Sequence, residues 1–384
     1  MTKVRLYAPQ LFDGHHFHTD LVITIVNGEI SAIDDDTHNI DLRAKGLVVP
    51  GYIDLQVNGG GGALFNDSPS LSKLTTIMSA HARFGTTAMM PTLITDKVEV
   101  MAKAADVIAL AIAQKTPGII GIHFEGPHLS LAKKGTHCAE FIRPITTKEW
   151  AILSRKDIGQ VMVTLAPETV SPEDISRMVE LNINVCLGHT NADFTTAQKA
   201  VDSGASGFTH LFNAMSPLQG REPGVVGCAL LNDNTYAGLI VDGHHVDYAS
   251  CQLAIKAKQG GKIFLVTDAM PPVGTNITEF PLYDRTVYVE EGKLTSTTGE
   301  LAGSSLDMAT AVKNTHIALK LPLDEALRMA SLYPAQYLYG ERPCRGELKV
   351  GQRADFIVLN DDLSVNETWI GGEPCYSSTG SSDK

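Results

Sequence analysis

Residues 183–212 read INVCLGHTNADFTTAQKAVDSGASGFTHLF, and this stretch decides the fold class. INVCLGH (183–189) is a short apolar run of strand character that stops at a histidine. NADFTTAQKAVDSG (191–204) then carries apolar residues at helical spacing, with Asn191 or Asp193 placed to cap it and Gly204 to end it. GFTHLF (207–212) is a second apolar run with a histidine near its end. The unit is strand–helix–strand, and His189 and His210, 21 residues apart, fall at equivalent points of successive strands.

The same unit recurs on both sides. GYIDLQV (51–57), TTAMMPT (86–92), GIIGIHFE (118–125), VMVTLAP (161–167), YAGLIV (236–241) and KIFLVTDA (262–269) complete a set of eight strand-like runs. Patterns such as LSKLTTIMSAHARF, DVIALAIAQ and PEDISRMVELN lie between them, and helical segments follow at 305–320 and 323–332. Eight such repeats meet the arithmetic of an α/β protein built on a closed (β/α)8 TIM-type barrel, which takes about 250 residues. A doubly wound open sheet is the competing architecture, but no Gly-rich dinucleotide loop follows an early strand. The barrel is expected over 49–339.

The two chain ends differ from the middle. VRLYAPQLFDG, DLVITIVNGEISAID and KGLVVPG alternate β-rich runs with turn signals, and Asn27-Gly28 is a two-residue hairpin signal. GELKVGQRADFIVLN and LSVNETWIGGEPC repeat that character near the other end. Residues 1–48 and 340–378 are therefore expected to pair as one discontinuous β-sandwich domain. The Ser/Gly-rich YSSTGSSDK tail reads as a frayed terminus.

The 384 residues are 43% hydrophobic and 19% charged with 34 glycines, an ordinary globular balance that excludes disorder. No run approaches the ~20 apolar residues of a membrane span. The net charge of -12 is the wrong sign for a nucleic-acid partner. The opening MTKVRLYAPQLFDG lacks the apolar core of a secretory signal, so a cytoplasmic setting is expected. Cys138, Cys186, Cys228, Cys251, Cys344 and Cys375 show no CxxC or finger spacing, and are expected to be reduced.

In such a barrel the working groups sit at the C-terminal ends of strands. Six runs obey this: Gln56 and Asn58; Glu125; His189; His210; Asp242, His244 and His245; and Asp268. A buried strand ending in an ionisable group is costly unless that group has a partner. Glu125, His189 and His210 form a plausible ligand set for one divalent metal, two imidazoles and a carboxylate leaving a coordination position open. His123, on the same strand face as Glu125, is read first as support for it and second as a further ligand. A divalent cation acidifies a nearby water, so Asp268 is assigned as the group that accepts its proton and delivers it to a leaving group. His15, His16, His18, His38, His81 and His316 are placed on the surface by default. His137 in KKGTHCAEFIR (133–143) and Arg221 in FNAMSPLQGREPG (212–224) suit an anionic substrate, although Arg221 reads equally as a solvated loop residue. The LAGSSLD turn (301–307) offers backbone amides to a polar ligand, and Ser304 or Ser305 equally offers a helix cap.

HFEGPHL, KKGTH, LGHTNA, THLFNAM, GREPG, DGHHVD, LVTDAM and LAGSSLDM, in this order, resemble the N-acetylglucosamine-6-phosphate deacetylase family of the amidohydrolase superfamily. The likeness runs from PGYIDLQVNG to GELKVGQRADFIVLN, nearly the whole chain. It implies a carbon–nitrogen hydrolase acting on a linear amide, giving glucosamine 6-phosphate and acetate from N-acetylglucosamine 6-phosphate. It implies metal ligation by Glu125, His189 and His210, with zinc first and Fe, Co, Mn or Ni as alternatives. Asp268 becomes the acid/base, and His137 the group polarising the acetamide carbonyl. Thr136, His137, Asn213, Ala214, His245, Leu301, Ala302 and Gly303 become substrate contacts, the backbone serving at most of them. Arg221 is implied to bind phosphate across a homodimer interface.

One departure stands out: Gln56-Val57-Asn58 replaces the His-x-His of many superfamily members. An amide is a poor transition-metal ligand, so one tightly held metal is expected, with Gln56 and Asn58 as supporting residues or a weak second site. The same departure argues against a binuclear cyclic-amide hydrolase or deaminase, and the retained ligand set argues against a non-catalytic relative.

Overall fold

The structure, a computed structural model, describes residues 2–297, 299–341 and 343–378. The last six residues of the tail expected to fray lie outside this part.

All eight expected runs form strands: Tyr52–Val57, Thr86–Ile94, Gly121–Glu125, Gln160–Leu165, Ile183–Leu187, Gly207–Phe208, Tyr236–Leu239 and Ile263–Leu265. They pair in parallel in sequence order. A parallel bridge between Val57 and Ala269 joins the first strand to the segment following the eighth. Asp268 N–H donates to Gln56 O and Asn58 N–H to Ala269 O, at 2.9 Å each, so the ring closes beside the rim groups. The second strand is buried at every position, as expected where helices cover one face and the barrel interior fills the other.

The helices start where local chemistry dictates. Asp193, not Asn191, caps Phe194–Asp202 by accepting from Thr196 N–H at 2.7 Å. The helix Met308–Ile317 is capped by Asp307, correcting the expectation for Ser304 or Ser305. Ser304 Oγ instead accepts from Leu306 N–H and donates to Thr267 O, holding its turn against the eighth strand.

The chain ends share one eight-stranded sheet, in which Leu47–Pro50 pairs antiparallel with Phe356–Leu359. Asn27 and Gly28 have positive φ at the turn between Phe17–Val26 and Glu29–Asp34, the backbone that the Asn-Gly signal demands. Ile30 N–H donates to Gln352 O and Ala354 N–H to Gly28 O, folding this sheet over a core of Leu6, Ile23, Ile25, Phe356 and Trp369.

An antiparallel sheet that the sequence reading missed follows the eighth strand: Glu279–Leu282, Arg285–Glu290 and Lys293–Ser296. Its apolar face meets Ile94, Met270 and Ala302 in a cluster of its own. The Asp284 and Glu291-Gly292 turns within FPLYDRTVYVEEGKLTS were its signal.

Candidate metal centre

Glu125 ends the third strand, and His189 and His210 follow the fifth and sixth. Both Nε2 atoms point at Glu125 Oε1, at 3.1 and 3.0 Å, and lie 3.0 Å from each other. Donors about 2.0–2.1 Å from a tetrahedral ion stand about 3.3 Å apart, so a small opening of the trio would admit one cation. Among the described residues this is the one group of three His, Cys, Asp or Glu side chains that converges so closely.

Nδ1 of His189 faces Lys133 O at 2.9 Å, which places its proton there and turns the Nε2 lone pair inward. Burial pushes the Glu125 carboxyl up, but the bonds and charges of His210 and His189 hold it well below the usual range. The ionised form, which a metal requires, is therefore the resting one. No proton arrangement makes every contact among these three donors favourable without a cation between them. The residues present fit a divalent metal.

His189, His210 and Asp268 all have left-handed backbone, with φ of 48°, 32° and 53°. Such conformations cost on the order of 1–3 kcal/mol each for residues other than glycine. They turn the chain sharply just past three strands, where all three side chains line one cavity. Gly188 makes the turn before His189 possible, since a Cβ there would lie 2.8 Å from Thr164 Cγ2 and 2.9 Å from Thr209 Cβ.

Asp268 Oδ1 accepts from Asn58 Nδ2 at 2.6 Å and Gln56 Nε2 at 3.1 Å. Gln56 Nε2 also lies 3.3 Å from Glu125 Oε2, bridging the two carboxylates. Both amides thus turn their NH2 ends toward Asp268. Burial, then the Glu125 charge, raises Asp268 to about 6. A carboxyl poised there can both take and return a proton near neutral pH.

His137 arrives on the long loop after the third strand. Thr95 N–H donates to its Nδ1 at 3.3 Å, leaving the proton on Nε2. Burial, followed by the neighbouring His189, holds it well below the ordinary histidine value, so it is a neutral donor. Arg143 ties this loop down, donating to Glu149 Oε1 at 2.7 Å and to Asp96 O and Phe141 O. Thr95 and Arg143 escaped the sequence reading. Thr95 is a polar residue just past an apolar strand, but the strand extends to Ile94, two residues beyond the TTAMMPT run.

His123 faces two hydroxyls, Thr92 Oγ1 at 3.1 Å and Thr164 Oγ1 at 2.7 Å, leaving no nitrogen for a cation. Burial pushes it down to about 4. His81 is a correction: it is buried, its Nε2 facing Gly59 O at 2.9 Å, and it braces the glycine loop beside Asn58.

One cavity of about 310 Å³ gathers Glu125, His189, His210, Asp268, His137, Thr136, Asn58, Asn213, Ala214, His245, Leu301 and Gly303. Ala302 is buried behind its wall. His245 faces Asp242 Oδ2 through Nδ1 at 2.6 Å, and the pair stands beside the seventh strand. Burial raises Asp242, but the His245 bond and charge hold it below the usual range. His244 is exposed, its backbone N–H donating to Asp242 Oδ1. Arg221 lies outside the cavity, exposed on the 217–223 loop.

Two imidazoles and a carboxylate around a cation position, with a buried aspartate of raised pKa beside them at the mouth of a parallel barrel, match the class of metal-dependent hydrolases. The model of the Amidohydrolase family matches residues 47–375, and the chain belongs to that family. It is 50% identical to N-acetylgalactosamine-6-phosphate deacetylase of Shewanella sp. (strain ANA-3), over 86% of this chain and 84% of that protein. It is 34% identical to N-acetylglucosamine-6-phosphate deacetylase of Haemophilus influenzae, over 91% and 93% respectively. The crystal structure of N-acetylglucosamine-6-phosphate deacetylase from Pasteurella multocida superposes with a TM-score of 0.93 at 36% identity, covering 97% of this chain and 99% of that one. No helix among the described residues is long and apolar enough to cross a membrane.

Proposed function

We propose that the chain removes the acetyl group of an N-acetylated hexosamine 6-phosphate, with N-acetylglucosamine 6-phosphate giving glucosamine 6-phosphate and acetate. The observation that carries this reading is the single cavity in which the Glu125–His189–His210 trio, Asp268 and the His137 donor meet. Catalysis is assigned to the 49–339 barrel, with 1–48 and 340–378 as its β partner domain.

Glu125, His189 and His210 would hold a divalent cation, zinc first among the candidates, which when bound would supply an acidified water and polarisation of the amide carbonyl. Asp268 takes the proton of the attacking water and returns it to the departing nitrogen. Gln56 and Asn58 orient the Asp268 carboxylate through their amide hydrogens. His137 Nε2–H meets the carbonyl oxygen as it gains negative charge. His245, oriented by Asp242, binds near the phosphate and so positions the acetyl group.

Arg221 is assigned to the phosphate of a neighbouring subunit in a homodimer. Its exposure supports this, as does the absence of any hydrogen bond or ion pair to it among the described residues. Exposed Leu218 and Leu231 flank the same segment. A cytoplasmic setting is supported by six cysteines that are all free thiols.

The deciding experiment strips the purified protein of metal, restores one cation at a time and measures acetate release. Activity on a phosphorylated amino sugar that returns with about one equivalent of cation supports the reading. No acetate from any such sugar under any cation overturns it. The 50% identical relative, named for the galactosamine epimer, favours a second reading in which the C4 epimer is the better substrate. The ratio of kcat/KM for the two epimers decides between them.

A further inference from the structure

The carbonyl carbon of an acyl amide must lie between Asp268 and His137, and its nitrogen must face the sugar and phosphate. The remaining substituent, the acyl chain, needs a place of its own. Strand order fixes which side is left. His245 stands beside the seventh strand and Asp268 just past the eighth; the first and second strands follow on the far side of Asp268 from His245.

On that side the cavity is lined by two apolar side chains, Ile94 and Met270. Ile94 ends the second strand, opposite Glu125 in register and directly before the Thr95 that bonds His137. Met270 follows Asp268 by two residues. The two are 6% and 2% exposed, and they belong to one cluster with Phe280, Leu282 and Ala302. Each is therefore backed by the three-stranded sheet and cannot retreat into solvent. A Cβ at Gly303 would lie 2.4 Å from Met270 Cγ, so the glycine is what admits the thioether chain to the cavity wall. The backbone of Ile94 is clamped by Asn66, which accepts from its N–H at 3.0 Å and donates to its carbonyl at 2.9 Å.

We propose that Ile94 and Met270 form the wall on which the methyl of the departing acyl group rests, and that this wall limits the length of acyl chain the enzyme removes. The inference rests on the deacetylase reading above. A closed apolar wall discriminates against one added methylene by about 10- to 200-fold, because the surrounding side chains must shift to make room.

The test measures kcat/KM for the N-formyl, N-acetyl, N-propionyl and N-butyryl derivatives of the amino-sugar 6-phosphate. The wild-type protein, Met270→Ala and Ile94→Val are compared, with bound metal and the Kd of the free amine product as controls. Wild-type protein is expected to lose about 10- to 200-fold from acetyl to propionyl. Met270→Ala is expected to shrink that ratio at least about tenfold, and Ile94→Val by less, with metal content and amine binding unchanged. Ile94→Val carries the same readout if the larger truncation does not fold. A wild-type series flat from acetyl to butyryl overturns the proposal, as does an unchanged ratio in folded, metal-replete variants. In either case hydrolysis of the acetyl compound leaves the deacetylase reading standing. Hydrolysis of no N-acyl compound by any protein, with metal bound, removes that reading and the acyl wall together.

Discussion

His123 and His189 occupy neighbouring tiers of the same barrel, and the contrast between those tiers separates chemistry from architecture. In the lower tier, His123 is closed off by Thr92 and Thr164, and Thr164 Oγ1 lies 2.6 Å from Thr209 Oγ1. Every histidine nitrogen there has a neutral partner within the protein. In the upper tier, His189 uses only Nδ1 for a backbone carbonyl and turns Nε2 toward His210 and Glu125. Residue type is the same and burial similar; what differs is whether the lone pairs are satisfied. A tier with satisfied lone pairs stabilises and orients, whereas one with converging lone pairs calls for a cation.

The largest break in this contrast comes from His189→Ala. It is expected to lower bound metal far below one equivalent and to abolish turnover, as metal analysis and an acetate assay would show; full occupancy would place the cation elsewhere. Asp268→Asn keeps metal near normal while lowering kcat by about 10²- to 10⁴-fold, the usual contribution of a general acid–base group. His137→Phe removes one donor to the developing oxyanion and is expected to cost about 10²- to 10³-fold in kcat.

Removing Arg221 sharpens a different edge. Arg221→Ala should weaken kcat/KM for the phosphorylated sugar by about 10- to 100-fold, the worth of a lost charge-assisted hydrogen bond, and leave the unphosphorylated sugar nearly untouched. Equal losses on both sugars would return Arg221 to the solvent. The lower tier should respond least in catalysis. His123→Asn is expected to keep most of the metal and to destabilise the fold by about 1–3 kcal/mol, read in denaturant unfolding, because two buried hydroxyls lose a partner.

The pH profile tests the upper tier without mutation. Asp268 is raised to about 6 by burial and the Glu125 charge, and the proposed mechanism uses its ionised form. Activity should therefore rise with pH through a limb at about 6 or below, since a cation beside Glu125 offsets part of that charge. A limb that persists in Asp268→Asn would assign the titration to another group.

Much of this is legible in the sequence alone. Apolar runs ending in Glu125, His189, His210 and Asp268 signal a rim because a hydrophobic strand terminates in an ionisable residue only where a partner meets it. The Asn27-Gly28 turn was legible for a comparable reason, as few residues accept its backbone. The 279–296 sheet, His81 and Thr95 were harder. A hairpin inserted in a barrel loop breaks the strand–helix rhythm, and a single histidine or threonine carries no periodic signal.

The sequence by itself determined the order of strands and helices, the polar ends of those strands and the absence of a His-x-His pair. These follow from hydrophobic period and side-chain chemistry, which are local. Only the tertiary structure decided which lone pairs converge, that Gln56 and Asn58 turn their hydrogens to Asp268, and that Arg221 stands apart from the cavity. Those outcomes depend on ring closure, on left-handed turns at three rim residues and on burial, all of which join residues far apart along the chain.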